Sequence, residues 1–480
     1  MKNIKYSLFL LVFSAMVINI SCDSDFEDIN RDPNNPTEIA ADRLLANLLL
    51  STANQLYASF TSLDQGAGWA QQVAKVQYND EMRYIPRENT ISATWNDFYR
   101  ATVSDANQMV LIGTERGDQA SVAIGKIMTA YGFLILTDFF GDIPFNEALD
   151  FTNIVPAYDP QEVVYEGSLA LLQEAIDILN GPDLSISSSS DLLYDGDLEK
   201  WQKFAGSLKF RALMRISSKV DVSEDLQELV DNGYLFTSQE DEAKFQFLGS
   251  APNANPIYET IVFNNREEYK INSQLVMLME SFEDPRLPVF AQPNDAGIIR
   301  GKPSGFRDLP SEEFSYTNVS AFGTKYLNPT QPAYFVSYTE LNFLLAEAAK
   351  EGFISGGDEA AENFYNKGLN SSFTENGLSE AEASNFSSSA GVSYNSDEGL
   401  EQIGLQKYIG LFGQGVEVWV EWRRTGIPAN LTPAIESTLG SIPVRFTYPV
   451  IEQSLNPDNY REAVGRQGED KLTTPVWWDK

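Results

Sequence analysis

The sequence predicts a mainly α protein, with paired helices through its first half and a loop-rich, irregular second half. Three observations carry that expectation. Apolar residues recur at helical spacing in long windows up to about residue 233. Between 234 and 337 the spacing fails, and Pro, Asn, Gly and aromatic residues are scattered instead. Helical spacing then returns from Tyr338 onward. A hydrophobic share of 43% and an aromatic share of 12% are ample for a large folded core.

The first element is a leader. Lys2 and Lys5 precede an apolar stretch from Tyr6 to Ile20, and the small Ser21 stands before Cys22, giving the charged, apolar and small-residue zones of an export signal. The apolar stretch is too short to span a bilayer as a stable helix. Cys22 is the one cysteine of 480 residues and occupies the position at which bacterial lipoproteins are cleaved and acylated. Residues 1–21 therefore read as a lipoprotein signal peptide, and Cys22 as the lipidated first residue of the mature chain. Residues 22–38 read as an acidic tether, with Asp23, Asp25, Glu27 and Asp28 followed by the turn-forming Asp32-Pro33-Asn34-Asn35-Pro36.

Residues 39–480 read as a single domain. Its first part, 39–233, carries helical patterns over 40–60, 67–78, 94–113, 119–140, 160–179 and 198–218. In the first of these Leu44, Leu45, Leu48, Leu49 and Ala53 share one face. Pro160 suits a first-turn position with Asp159 as the cap before it, and Gly181-Pro182 stops that helix. Stacked pairs of this kind are similar to tetratricopeptide repeats, although no strict 34-residue period is present. The irregular insert, 234–337, holds one helix-like piece at 271–282. The last part, 338–480, brings helices at 338–351 and 359–373, a Ser/Asn-rich loop, and a long apolar helix over 401–426.

Composition narrows the chemistry. The chain carries 34 basic and 68 acidic residues, a formal charge of −34. Such a field repels nucleic-acid phosphates and anionic headgroups, so nucleic acid is excluded as a partner and membrane attachment falls to the lipid. There is no histidine, which removes Ser-His-Asp and Cys-His catalysis and histidine-based metal sites. With Cys22 acylated, thiol chemistry goes as well. An enzyme could still use two carboxylates, as glycosidases do, but acidic residues are too abundant for any one pair to stand out. The expectation is a noncatalytic protein. No cofactor is expected either: Asp191, Asp195, Asp197 and Glu199 gather around Gly196 and could attract calcium, but their spacing does not match an EF-hand loop, and a solvated acidic turn is the better reading.

Several strings recur in one order. They are Phe26-Glu27-Asp28-Ile29-Asn30 with Asp32-Pro33-Asn34; Leu136-Thr137-Asp138-Phe139-Phe140-Gly141-Asp142-Ile143-Pro144-Phe145; Gly196-Asp197 with Trp201, Phe204, Leu208 and Arg211; and Asp284-Pro285-Arg286-Leu287-Pro288. Then come Tyr338-Thr339-Glu340 with Leu344-Leu345-Ala346-Glu347-Ala348, Glu421-Trp422-Arg423-Arg424-Thr425-Gly426, and Ile442-Pro443-Val444-Arg445-Phe446. Together they resemble the SusD/RagB family of nutrient-binding outer-membrane lipoproteins over essentially the whole mature chain. The acidic run after Cys22 likewise resembles the surface-export signal of Bacteroidetes lipoproteins. The resemblance implies a SusD-like α/α superhelix anchored at the outer face of the outer membrane. It also implies a lid on a TonB-dependent, SusC-like transporter that captures oligosaccharides, or in some members peptides, and hands them over. A carboxylate-based surface glycosidase is the remaining alternative.

Most of these strings are expected to hold the fold. Gly141 suits a helix-ending positive φ and Pro144 prevents resumption. Arg423 and Arg424 complement a helix C-terminus. Glu340 and Glu347 suit caps or inter-helix bonds. Ligand contacts are expected where aromatics mix with polar residues, because sugar rings stack on flat aromatic faces and bond planar amides, carboxylates and guanidinium groups. Two stretches fit: the early one, with Trp69, Gln72, Tyr78, Arg83, Tyr84 and Trp95, which also holds Arg87; and the middle one, with Asn255 and Tyr258, followed by Asn264 and Asn265. The resemblance implies the same layout, with contacts from an early loop region and the middle insert.

Overall fold

Helical periodicity becomes helices nearly everywhere the sequence places it. The computed structural model describes residues 39–150, 152–306 and 312–479. Cys22, the leader 1–21 and the tether 22–38 lie outside the described residues. The described residues from Ala41 onward form one compact unit.

Helix α1, Leu45–Leu56, buries Leu45, Leu48, Leu49, Ala53 and Leu56 on one face. A π-helical segment, Ser59–Ala67, follows. Helix α2, Glu88–Phe98, runs through a second π-helical segment, Tyr99–Ser104, into α3, Asp105–Arg116. Asp118 caps α4, Gln119–Phe140, by accepting a hydrogen bond from Ser121 N at 3.1 Å. Helix α4 is apolar and long enough to cross a membrane, but it is buried on all sides and is the central rod of the core. Gly141, at φ +80°, ends it as expected. Helices α5 (Gln161–Leu179), α6 (Leu198–Ile216) and α7 (Ser223–Asp231) follow. Neighbours α3/α4, α4/α5 and α5/α6 pack pairwise, which is the superhelical stacking expected.

The second half adds α8, Ser273–Ser281, and then the pair α9, Tyr338–Glu351, and α10, Gly357–Glu375. After these come α11 (Glu380–Ser387), α12 (Gly399–Gly410), α13 (Gly415–Thr425), α14 (Val450–Leu455) and α15 (Pro457–Gln467). Four short strands tie the insert to the helices. β1 (Val73–Lys75) pairs antiparallel with β3 (Tyr269–Ile271), and β2 (Ala243–Phe245) with β4 (Ala333–Val336).

Three local expectations are corrected. The helix at 67–78 is mostly β1 and its flanking turns, because Val73, Ala74 and Lys75 find backbone partners in Ile271, Lys270 and Tyr269, and Gln71 and Tyr78 take positive φ. Asp159 does not cap α5: its carboxylate accepts from Phe145 N and Asn146 N, and Pro160 itself is the N-cap. The long helix at 401–426 is two helices, broken where Gly413 adopts φ +88°. Gly415 then starts α13 against the π-helical segment, so closely that a side chain there would strike the carbonyl of Ser62.

The family strings mostly form buried ion pairs between helices. Arg211 of α6 holds Glu340 of α9 through two hydrogen bonds, with Nε 2.6 Å from Oε1. Arg215 reaches Asp138 of α4 at 2.6 Å and also Glu417 of α13. Arg424 binds Glu347 at 2.6 and 2.7 Å. Arg423 donates to the carbonyls of Asp138 and Val444. Buried charges are tolerated only when paired and hydrogen-bonded, so these residues fix how the helices are arranged.

Candidate functional site

The pairing of β1 with β3 positions the site. Because Lys75 stands opposite Tyr269, and Val76 N donates to the Glu268 carbonyl at 2.9 Å, the chain leaving β1 at Gln77 and Tyr78 runs beside the chain entering β3 at residues 265–268. Between them opens a cleft of about 700 Å³, lined by Gln77, Tyr78, Arg87, Asn265, Arg266, Glu267, Glu268 and Tyr316. It is wider than the hollow beside α2, at about 350 Å³, and the polar hollow around Gln239 and Asn370, at about 390 Å³.

Tyr78 is the exposed aromatic ring of this cleft, and Tyr316 is half-buried. Tyr78 is 57% exposed, and its left-handed backbone, φ +57°, is an uncommon conformation for a residue with a side chain. The Arg266 guanidinium lies over the ring, 5.5 Å from its centre, and is itself held by the buried Glu268 carboxylate at 2.5 Å. Tyr316 donates its hydroxyl to Gln77 Oε1 at 3.2 Å, and Lys270 lies 5.7 Å from the centre of the Tyr316 ring. Partial burial, reinforced by Glu268 nearby, raises the Tyr316 pKa, so its hydroxyl keeps its proton. Burial lowers the pKa of Lys270. Beneath the cleft, Lys75 pairs with Asp64 at 3.2 Å and sits 5.0 Å from the Tyr269 ring centre; burial pushes Asp64 up to about 6 against the pull of Lys75.

The two stretches named from sequence thus meet, but through few of the residues named. Of those eight, Tyr78 alone lines the cleft, joined by Arg87 and Asn265 from the same stretches. Trp69 is in the core, edge-on to Trp419 at 5.1 Å, with its indole N–H on the Glu81 carbonyl. Gln72 is buried and donates to the Tyr408 carbonyl at 2.6 Å. Trp95 packs among Tyr99, Phe140, Tyr158 and Tyr448. The buried Tyr84 hydroxyl accepts from Ala434 N at 2.9 Å, and Arg83 is spent on the Glu436 carbonyl at 3.0 Å. Asn255 is a buried N-cap, accepting from Ile257 N and donating to the Gln331 carbonyl. Tyr258 is half-buried and does not line the cleft. Trp69, Gln72, Tyr84, Trp95 and Asn255 pack inside the fold, where a side chain buried in protein has no surface to offer a ligand.

Gln77, Arg266, Glu267, Glu268 and Tyr316 also line the cleft, and nothing in the sequence marks them. A polar run such as Asn264-Asn265-Arg266-Glu267-Glu268 looks like any solvated turn, and no local signal places it beside Tyr78. In the acidic loop Asp195, Asp197 and Glu199 are exposed, as in a solvated turn, and Asp191 alone departs from that reading. Its carboxylate is buried and fully bonded, accepting from Leu193 N, Tyr194 N, Gly196 N and Trp201 Nε1, while Asp197 caps α6. Among the described residues, no group of three or more acidic, histidine or cysteine side chains is placed to hold a metal ion.

Comparison with known proteins adds an independent line. The SusD-like family model described as "Starch-binding associating with outer membrane" matches residues 33–449. Among solved structures, a chitin-binding protein is similar at 26% identity and TM-score 0.79, over 92% of this chain and 99% of that one. A SusD homolog from Bacteroides fragilis is similar at 25% identity and TM-score 0.78, over 92% and 100%. An outer-membrane protein from Bacteroides vulgatus, whose name connects it with nutrient binding, is similar at 26% identity and TM-score 0.76, over 90% and 100%. No curated protein matches the sequence.

Proposed function

The chain belongs to the SusD-like family, and from that membership we propose that it is a noncatalytic, surface-exposed glycan-binding lipoprotein. It captures oligosaccharides at the cleft around Tyr78 and passes them to a TonB-dependent transporter of the outer membrane. The observation that carries the ligand reading is the exposed Tyr78 ring set among the amides of Gln77 and Asn265 and the guanidinium of Arg266. An aromatic face for the C–H surface of a sugar, beside planar groups for its hydroxyls, is what a neutral saccharide requires. The starch-binding description of the family and the chitin-binding relative support the same ligand class.

Capture without turnover fits the site's chemistry. Of the two carboxylates lining the cleft, Glu268 is buried and bound to Arg266, and only Glu267 stands exposed. Anchoring through Cys22 and handover to a SusC-like partner rest on family membership and on the leader sequence. Calorimetric titration of the purified protein with neutral oligosaccharides and with mixed peptides tests the proposal. Saturable heat with a glycan and no release of shorter products supports it. Heat with peptides alone would replace it with an oligopeptide-binding lid, and turnover of a glycan would replace it with a glycosidase.

A further inference from the structure

Arg87 borders two hollows. On one side lies the cleft of Tyr78; on the other is the hollow beside α2, about 350 Å³, lined by Gln55, Phe60, Thr90, Ala93, Thr94 and Asp97 among others. The Arg87 side chain is 46% exposed yet fixed in place. Its Nη2 is 2.5 Å from the buried Glu81 carboxylate, and its guanidinium lies over the Phe60 ring, 4.5 Å from the centre. A guanidinium has five N–H donors in a rigid fork, and one partner, Glu81, leaves others for hydroxyls passing over it.

The second hollow has the same kind of surface as the cleft. Phe60 supplies a half-buried aromatic ring, and Asn89 and Asp97 supply polar groups around the exposed Ala93. Gln55 donates from Nε2 to the Asp97 carbonyl at 3.1 Å, while its Oε1 is buried without a hydrogen-bond partner.

Resting on the glycan reading of the cleft, we infer that the hollow beside α2 is a second saccharide subsite and that a neutral oligosaccharide lies across both, passing over Arg87. Each hollow falls within the usual size of a small-molecule site, roughly 300–1,000 Å³, so a chain occupying both is longer than either holds. The protein therefore selects for chain length, with the Tyr78 cleft sufficient for short oligomers and the Phe60 hollow used only by longer ones.

The test is calorimetric titration of the full protein with maltose and chitobiose and with their homologues up to seven units. It compares the wild type with Ala93→Trp, which fills the hollow from an exposed helix position, and thermal melting checks that the variant folds. The expected result is wild-type affinity rising at least tenfold from disaccharide to heptasaccharide, and Ala93→Trp keeping disaccharide affinity while losing that gain. An affinity independent of length in the wild type, an Ala93→Trp variant that matches wild type at every length, or one that loses disaccharides as well, overturns the second subsite. Absence of heat with every saccharide removes the glycan reading of the cleft, and the subsite with it.

Discussion

The guanidinium of Arg266 lies over the ring of Tyr78, 5.5 Å from its centre, and joins the two segments whose separation forms the cleft. The contact covers part of a ring that is still 57% exposed. It holds the aromatic surface in a defined orientation, which lowers the ordering cost of binding.

Tyr78→Ala is expected to weaken oligosaccharide binding about tenfold, roughly 1.4 kcal/mol, while leaving the melting temperature nearly unchanged, because the ring is mostly in solvent. Titration alongside thermal melting checks both parts. Unchanged affinity would remove Tyr78 from the site.

Trp95→Ala is expected to behave in the opposite way. Trp95 is 5% exposed and packs against Tyr99, Phe140, Tyr158 and Tyr448, so its loss costs about 3–5 kcal/mol of stability. The variant that folds should bind saccharide as the wild type does. Denaturant unfolding measures the first effect and titration the second.

The Arg211–Glu340 pair links α6 to α9 in the interior, with side chains 5% and 0% exposed. Either Arg211→Met or Glu340→Leu leaves a buried charge with its main partner gone and should cost about 3–5 kcal/mol. The double variant should cost clearly less than the sum of the two. A double-mutant cycle in urea gives the coupling, and strict additivity would contradict it.

Glu242 is buried, and that burial, helped by repulsion from Glu375, pushes its carboxyl up to about 7 from 4.5 against the pull of Lys244. The folded chain therefore holds this proton more tightly than the unfolded chain. The resulting stability is complete below about pH 4.5 and is lost as pH rises to about 7. Glu242→Gln keeps an acceptor for Tyr338 N, which Glu242 Oε1 now binds at 2.9 Å. It should remove that component of the pH dependence. Unfolding free energies of the two proteins across pH 4.5–7.5 should converge at the acid end, and parallel curves would sink the assignment.

Cys22→Ser is expected to move the protein from the membrane to the soluble fraction and to abolish incorporation of labelled fatty acid. Retention of the label would show acylation elsewhere.

What the sequence determined by itself was local. The helical patterns at 119–140 and 338–351 match their helices to the residue, because their apolar periodicity and ends are written within the segment. The recurring strings carry the family resemblance without any tertiary contact. What only the tertiary structure decided was which aromatics face outward. Trp69, Trp95 and Tyr78 look alike as residues among polar neighbours, yet two are core and one lines the cleft, since burial depends on what packs against a side chain from distant segments. The turn into a strand at 73–75 and the placing of Arg266 beside Tyr78 both come from the pairing of Val73 with Ile271. A non-local pairing leaves no periodic trace in either segment, so the cleft became visible only when the chain was folded.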